Sequence, residues 1–179
     1  MGRKPLRLTP RQIATGAAVA ALYVVLTALF APISFGNGAV LGVPGVQFRI
    51  SEILVLLPVF TSAAVPGVAL GCFLSNLLFG GLGLVDVVFG TLATLLGAFG
   101  TRWLRRWPPL APLPPILLNA FVVGTYLAYI LPAEFRLPLW LSIASVGVGE
   151  TAVLYILGLP VLYVLKRVSD RVRLFPEDR

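Results

Sequence analysis

The chain holds 179 residues, of which 58% are hydrophobic and only 12% charged, and its mean hydropathy is +0.95. A soluble domain of this length needs far more charge to cover its surface, so composition excludes one and points to an integral membrane protein. The net charge of +7 lies in short clusters between apolar runs, which argues against a nucleic-acid binder, and the absence of histidine removes imidazole proton relays and His-ligated metals.

Six apolar segments follow one another at about residues 12–31, 49–63, 66–80, 84–104, 114–131 and 139–165. They predict an all-α polytopic bundle of six transmembrane helices, a single integral membrane domain over 1–179. The first segment, IATGAAVAALYVVLTALFA, follows a basic stretch as a signal peptide would. The run is too long for that, and Pro32 spoils the cleavage position, so it reads as a span. Ala14 and Ala18, and Ala17 and Ala21, repeat four apart on neighbouring stripes, widened by Gly16 and Ala20. Such stripes let helices approach closely in lipid, where no hydrophobic drive exists, and they predict a partner-binding face. The Gly- and Pro-rich loop PISFGNGAVLGVPG, within an outer lid of about 32–48, carries the apolar residues Phe35, Val40, Leu41 and Val43, which suit a cover better than a wet surface.

The second and third segments are short against the roughly 20 residues that a hydrocarbon core needs. Only Ala64 and Val65 separate them before Pro66, which predicts a tight hairpin whose ends pack against protein. VQFRISEILVLLP opens the second segment and sets Arg49 and Glu52 at its mouth, where an i,i+3 ion pair is the simplest local reading. Gly67 and Gly71 make a small-residue stripe read as internal packing, and the lone Cys72 reads as a small buried hydrophobe. Asp86 opens the fourth segment, RRWPPLAPLPP turns into the fifth, and Glu150 lies about eleven residues into the sixth, roughly 16 Å deep.

Lysine and arginine set the orientation. With both termini cytoplasmic, the inner side holds Arg3, Lys4, Arg7 and Arg11, then Arg102, Arg105 and Arg106, then Lys166, Arg167, Arg171, Arg173 and Arg179. The outer side holds only Arg49 and Arg136, a strong positive-inside bias. Trp103 and Trp107 suit the inner interface and Trp140 the outer one. This topology puts Arg49, Ser51, Glu52, Asn76, Asp86, Tyr126 and Tyr129 in the outer half and Glu150 near the midplane, with Asn119 on the inner side. A charge at bilayer centre costs about 2.5–3.5 kcal/mol on insertion scales, so such groups face a cavity or a partner. Together they predict an outward-facing polar pocket, with Arg49, Glu52, Asn76, Asp86, Asn119, Tyr126 and Glu150 as substrate-binding candidates.

No GxxxxGK[ST], HExxH or GxSxG occurs, so the chain lacks the parts of an ATPase, a zinc protease or a lipase and reads as a non-enzyme that binds no cofactor or metal itself. A small membrane binding protein powered by others fits best, with membrane lipid and a small molecule as partners and no nucleic acid. A solitary secondary transporter with Glu150 as its proton site is the alternative.

The blocks FRISEILVLLPVFTSAAVPGVALGCFLSNLL, DVVFGTLATLLGAF, LPPILLNAFVVG and VGVGETAVLYILGLP resemble the QueT family, from about Ala14 to Lys166. These are substrate-binding S components of energy-coupling factor (ECF) transporters, associated with uptake of queuosine precursors. The resemblance implies a six-helix S-component fold in the bacterial plasma membrane and a vitamin-like substrate captured from outside. It also implies a coupling transmembrane subunit and two ATPase subunits that hydrolyse ATP, docking on the first span at Ala14, Ala17, Ala18 and Ala21. A nucleobase-like 7-deazaguanine suits the candidate residues: its N1–H and exocyclic amine can share one carboxylate, Arg49 can donate to the carbonyl oxygen, and Phe48 or a tyrosine can stack. Which acid takes which part stays open, as does another flat vitamin-like substrate.

Overall fold

The computed structural model describes residues 9–34, 39–40, 43–44 and 48–172. Helix α1 (Pro10–Leu29) begins two residues before the apolar run because the sequence caps it there. Thr9 Oγ1 accepts from Gln12 N at 3.2 Å, Gln12 Oε1 accepts from Thr9 N at 2.9 Å, and Pro10 at the first position gives up no needed donor. A short helix α2 (Ala31–Ser34) follows, then a two-residue antiparallel ladder in which β1 (Ala39–Val40) pairs with β2 (Val43–Pro44). Of the proposed lid residues, Val40 and Val43 are backbone partners in this ladder, while Phe35 and Leu41 lie outside the described residues.

The second apolar segment is the unusual element. Ile50–Val59 winds as a 3₁₀ helix of ten residues, where runs beyond three or four are uncommon. At about 2.0 Å per residue it reaches roughly 20 Å, about 5 Å further than the same residues in an α-helix. Three residues per turn align Glu52, Val55 and Pro58 on one buried line. The segment rests against α1, the following helices α3 (Ala64–Phe79) and α4 (Thr91–Trp103), and residues 152–158. At its far end Arg102 Nη1 donates to the Pro58 carbonyl at 3.1 Å, supplying one of the donors a helix terminus lacks. Pro66 falls in the first turn of α3, where a missing N–H costs nothing, so that helix starts at Ala64 rather than at the proline.

Beyond α3 the chain turns at Gly83, whose φ of 68° suits glycine. Each remaining apolar segment carries a π-helical insert: Asp86–Gly90 before α4, Asn119–Val123 between α5 (Leu113–Leu118) and α6 (Gly124–Ile130), and Ala152–Gly158 between α7 (Leu139–Thr151) and α8 (Leu159–Val172). Prolines 114 and 115 sit in the first turn of α5 and Pro138 precedes α7, positions where proline starts a helix rather than breaking it. Among the described residues, Pro10–Leu29, Pro108–Ile130 and Leu139–Ser169 are long and apolar enough to cross a membrane, with Ile50–Val59 and Ala64–Phe79 as shorter apolar helices. Leu22, Val25, Leu77, Phe99, Phe121 and Val164 are exposed, which fits a surface bathed in lipid rather than water.

Close packing of α1 on α3 organises the bundle. A Cβ on Gly67 would lie 2.6 Å from the Gly16 carbonyl oxygen, and one on Gly71 would lie 2.6 Å from Tyr23 Cβ. The Gly67–Gly71 stripe is therefore internal, as its sequence suggests. The α1 side of that contact is Gly16, Val19, Ala20 and Tyr23, which corrects the placing of Gly16 and Ala20 on the outer small-residue face. Ala14, Ala17, Ala18 and Ala21 are exposed. Gly67→Ala forces this contact apart and is expected to lower stability by about 1–3 kcal/mol, whereas Ala21→Leu on the exposed face is expected to change it by less than about 0.5 kcal/mol. Thermal unfolding of both variants in one detergent checks the contrast.

Candidate substrate-binding site

Four acidic or basic side chains are buried among the described residues: Arg49, Glu52, Asp86 and Glu150. Each sits at or beside a departure from α-helical winding. Arg49 is the residue before the 3₁₀ helix and Glu52 lies in its first turn; Asp86 and Asn119 each open a π insert; Glu150 stands two residues before the third. A π turn widens the helix by one residue, and such turns often occur at functional sites. Glu52, Asp86, Asn119 and Glu150 all stand at these points, whereas Asn76 lies within the regular helix α3.

Arg49 and Asp86 form the central ion pair. The Arg49 Nη2 donates to Asp86 Oδ1 at 3.2 Å and to Oδ2 at 3.5 Å. Tyr126 donates its hydroxyl to the same Oδ1 at 2.5 Å, and Asn76 Nδ2 donates to the Asp86 carbonyl at 2.9 Å. Gly90 leaves room for this knot, since a Cβ there would lie 2.8 Å from Asn76 Nδ2. Among the described residues, the simple local pairing of Arg49 with Glu52 does not form. With φ −79° and ψ 86°, Arg49 stands outside the helix, so its side chain leaves the line of Glu52 and finds Asp86 instead.

Glu52 has other partners. Tyr23 donates to its Oε1 at 2.6 Å, and Thr94 Oγ1 lies 3.2 Å from the same atom and 3.3 Å from Cys72 Sγ. The single Thr94 proton serves the carboxylate, so the thiol contact is one in which Cys72 S–H donates. Asn76 Nδ2 lies 3.5 Å from that sulfur, which joins the Glu52 group to the Asp86 group in one continuous network. Beside it, Thr27 and Ser51 hydroxyls pair at 2.8 Å. A second buried polar group is a pair: Asn119 Nδ2 donates to Glu150 Oε1 at 2.8 Å. The structure thus brings Arg49, Glu52, Asn76, Asp86 and Tyr126 into one network and pairs Asn119 with Glu150. Phe48 is half-buried, its backbone N–H bonded to the Ile33 carbonyl at 3.2 Å, and Tyr129 faces outward.

Residues 13–167 match the QueT transporter family. The chain belongs to that family. Over 86 residues it is 40% identical to a protein of Lactococcus lactis subsp. cremoris (strain MG1363) described as queuosine precursor transporter QueT. The match covers 47% of this chain and 45% of that protein, so the chain spans about half the length of the curated relative it matches. No solved structure matches. Family membership and the apolar helices make this a multi-pass protein of the bacterial plasma membrane and a member of a transporter family rather than an enzyme.

The buried set divides by what is already satisfied. Both Asp86 oxygens accept hydrogen bonds. Glu52 Oε2, Glu150 Oε2 and Asn119 Oδ1 are buried with no hydrogen-bond partner among the described residues, as are the Ser75 and Thr91 hydroxyls. Tyr23 and Thr94 are absent from the sequence-derived set. Tyr23 was legible in principle: it shares a helical face with Gly16, Ala20 and Thr27, the polar end of an otherwise smooth stripe. Thr94 gave no such signal. Asp86→Ala removes the acid of a buried pair and is expected to cost about 3–5 kcal/mol, read as a large fall in unfolding temperature. Tyr23→Phe removes one bond to a carboxylate and is expected to cost about 1.5–3 kcal/mol.

Proposed function

We propose that this chain is the substrate-capture component of an ECF-type importer and that its ligand is a queuosine precursor carrying a 7-deazaguanine base. The observation that carries this reading is the set of buried acceptors Glu52 Oε2, Asn119 Oδ1 and Glu150 Oε2, which have no hydrogen-bond partner among the described residues. Leaving such an acceptor unpaired costs about 1–3 kcal/mol, and more when it is charged, so it fits a site completed by the donors of a ligand. A guanine-type base offers N1–H and an amine side by side, which one carboxylate accepts together. The family and the name of the Lactococcus relative support the same substrate class.

In this reading Arg49, Asp86, Asn76 and Tyr126 hold the pocket's shape, while Glu52, Asn119 and Glu150 take the base and Phe48 closes over it. ATP is hydrolysed by two partner ATPase subunits, and this chain holds no cofactor. A coupling transmembrane subunit docks on Ala14, Ala17, Ala18 and Ala21. Their exposure beside a contact that already uses the other face of α1 supports that role.

Mass spectrometry of the small molecule that copurifies tests the substrate; a flat vitamin of another class would overturn that part. Glu150→Gln keeps volume and removes charge, and binding is expected to weaken at least tenfold, about 1.4 kcal/mol. Ala18→Leu puts a branch into the docking face, so ATP-driven uptake is expected to fall while binding by the isolated protein persists. Uptake by this chain alone, driven by a pH gradient without ATPases, would favour a solitary transporter instead.

A further inference from the structure

The turn between the fourth and fifth apolar segments carries more charge than a connection needs. Arg102 and Trp103 end α4, the chain turns through Leu104, Arg105 and Arg106, and Trp107 leads into the single turn Pro108–Leu110. Residues 102–107 line a surface cavity of about 640 Å³. Three guanidinium groups share this hollow, and the chain has no acidic residue between Asp86 and Glu134. Arg105 and Arg106 are exposed, and their side chains have no hydrogen-bond or ion-pair partner among the described residues.

The frame around the hollow is firmly tied. Thr101 Oγ1 donates to the Ala111 carbonyl at 3.0 Å, the Tyr155 hydroxyl to the Pro109 carbonyl at 3.1 Å, and Arg102 Nη1 to the Pro58 carbonyl at 3.1 Å. Helix α4 lies close on α5 at Gly97, where a Cβ would be 2.9 Å from Pro115 Cα. The local backbone is thus held by other groups, and the two free arginines stand on a fixed support.

Two features say what fits there. Leu92, Leu96, Phe99 and Trp103 are exposed and spaced i, i+4, i+7, i+11, so they form one apolar stripe along α4 that ends at the hollow. Trp103 and Trp107, 85% and 63% exposed, flank the arginines, and such rings favour the headgroup level of a bilayer. The orientation expected from the lysine and arginine bias puts this turn at the cytoplasmic leaflet, where anionic lipids concentrate. A guanidinium matches phosphate oxygens with paired donors. The C-terminal end of α4 accounts for one basic residue through its dipole, but not for a hollow that joins two free arginines to an apolar stripe. A free phosphate would use the arginines and leave the stripe idle. A phosphate joined to hydrocarbon chains uses both.

We propose that the hollow binds the headgroup of an anionic phospholipid of the inner leaflet, with Arg105 and Arg106 on the phosphate, Trp103 and Trp107 beside it, and an acyl chain along the α4 stripe. The bound lipid lies against Arg102, which holds the end of the 3₁₀ helix, and so seats that end at the membrane surface. The proposal is independent of which substrate the chain carries.

The test uses the full chain with Trp140→Phe, which leaves Trp103 and Trp107 as the only indoles, in nanodiscs of phosphatidylcholine with a minor share of phosphatidylglycerol. Bromine on the acyl chains of one lipid at a time quenches the tryptophans that it touches. Brominated phosphatidylglycerol is expected to quench at least about fivefold more per molecule than brominated phosphatidylcholine. Arg105→Gln with Arg106→Gln, checked for a native-like unfolding temperature, is expected to bring that ratio below about twofold. Lys166→Gln with Arg167→Gln, which removes exposed cations from α8, is expected to leave it unchanged. A ratio near one in the chain with both arginines overturns the proposal without any further variant. A ratio that survives loss of the arginine pair overturns it too, and an equal fall with either pair would show only a diffuse surface charge. Displacement of the brominated lipid by dissolved inorganic phosphate would assign the hollow to a free anion and overturn the lipid as its occupant.

Discussion

An ionised group inside a membrane protein must find its partner within the protein, because the hydrocarbon around it offers none. Asp86 meets that requirement for this bundle. It accepts from Arg49 and Tyr126 through its side chain and from Asn76 through its backbone, so one residue ties the 3₁₀ helix, α3 and α6 to the start of the fourth apolar segment. Removing water from two charges costs several kcal/mol per ion, and the attraction between them repays this only with good geometry and further hydrogen bonds. The convergence of four elements on this one residue supplies both. The Glu52 group joins this knot through Asn76, Cys72 and Thr94.

The irregular helices follow from the same demand. Arg49, Glu52, Asp86, Asn119 and Glu150 each lie at or beside an irregular winding. Each π insert resets the phase of the residues beyond it, and the 3₁₀ segment aligns every third residue. The apolar clusters on either side hold these windings in place: Val19, Tyr23, Val55, Val68 and Cys72 around the 3₁₀ helix, and Ala93, Val123, Tyr126, Leu127 and Val146 around the Asp86 end. Packing and polar satisfaction are therefore one problem here, solved by the same departures from ideal geometry.

Long apolar runs made the all-α membrane class legible from sequence, because their burial follows from local rules of hydropathy and hydrogen bonding. Thr9 and Gln12 announce the start of α1 as a capping box, although hydropathy alone places it two residues late. The winding of Ile50–Val59 was not legible, since the choice between 3₁₀ and α depends on what the segment packs against rather than on its residues. The site shows the same division. Charged residues inside apolar runs identify themselves by cost, so Arg49, Glu52, Asp86 and Glu150 were visible. Their pairing was not: adjacency suggests Arg49 with Glu52, but the backbone at Arg49 has not yet entered the helix, and a partner 37 residues away wins. Thr94 hides because threonine is unremarkable in a membrane helix.

The 3₁₀ helix has a mechanical side. Its two ends are tied by arginines, Arg49 to Asp86 at one end and Arg102 to the Pro58 carbonyl at the other. Between these ties the segment is overwound by about 20° per residue and stretched by roughly 5 Å relative to its α form. It is a drawn thread held between two clamps. Rewinding even one turn toward α geometry would shorten the thread and rotate Glu52 away from Tyr23. A change in length at the Arg102 end would thus be felt as a change in angle at the carboxylate.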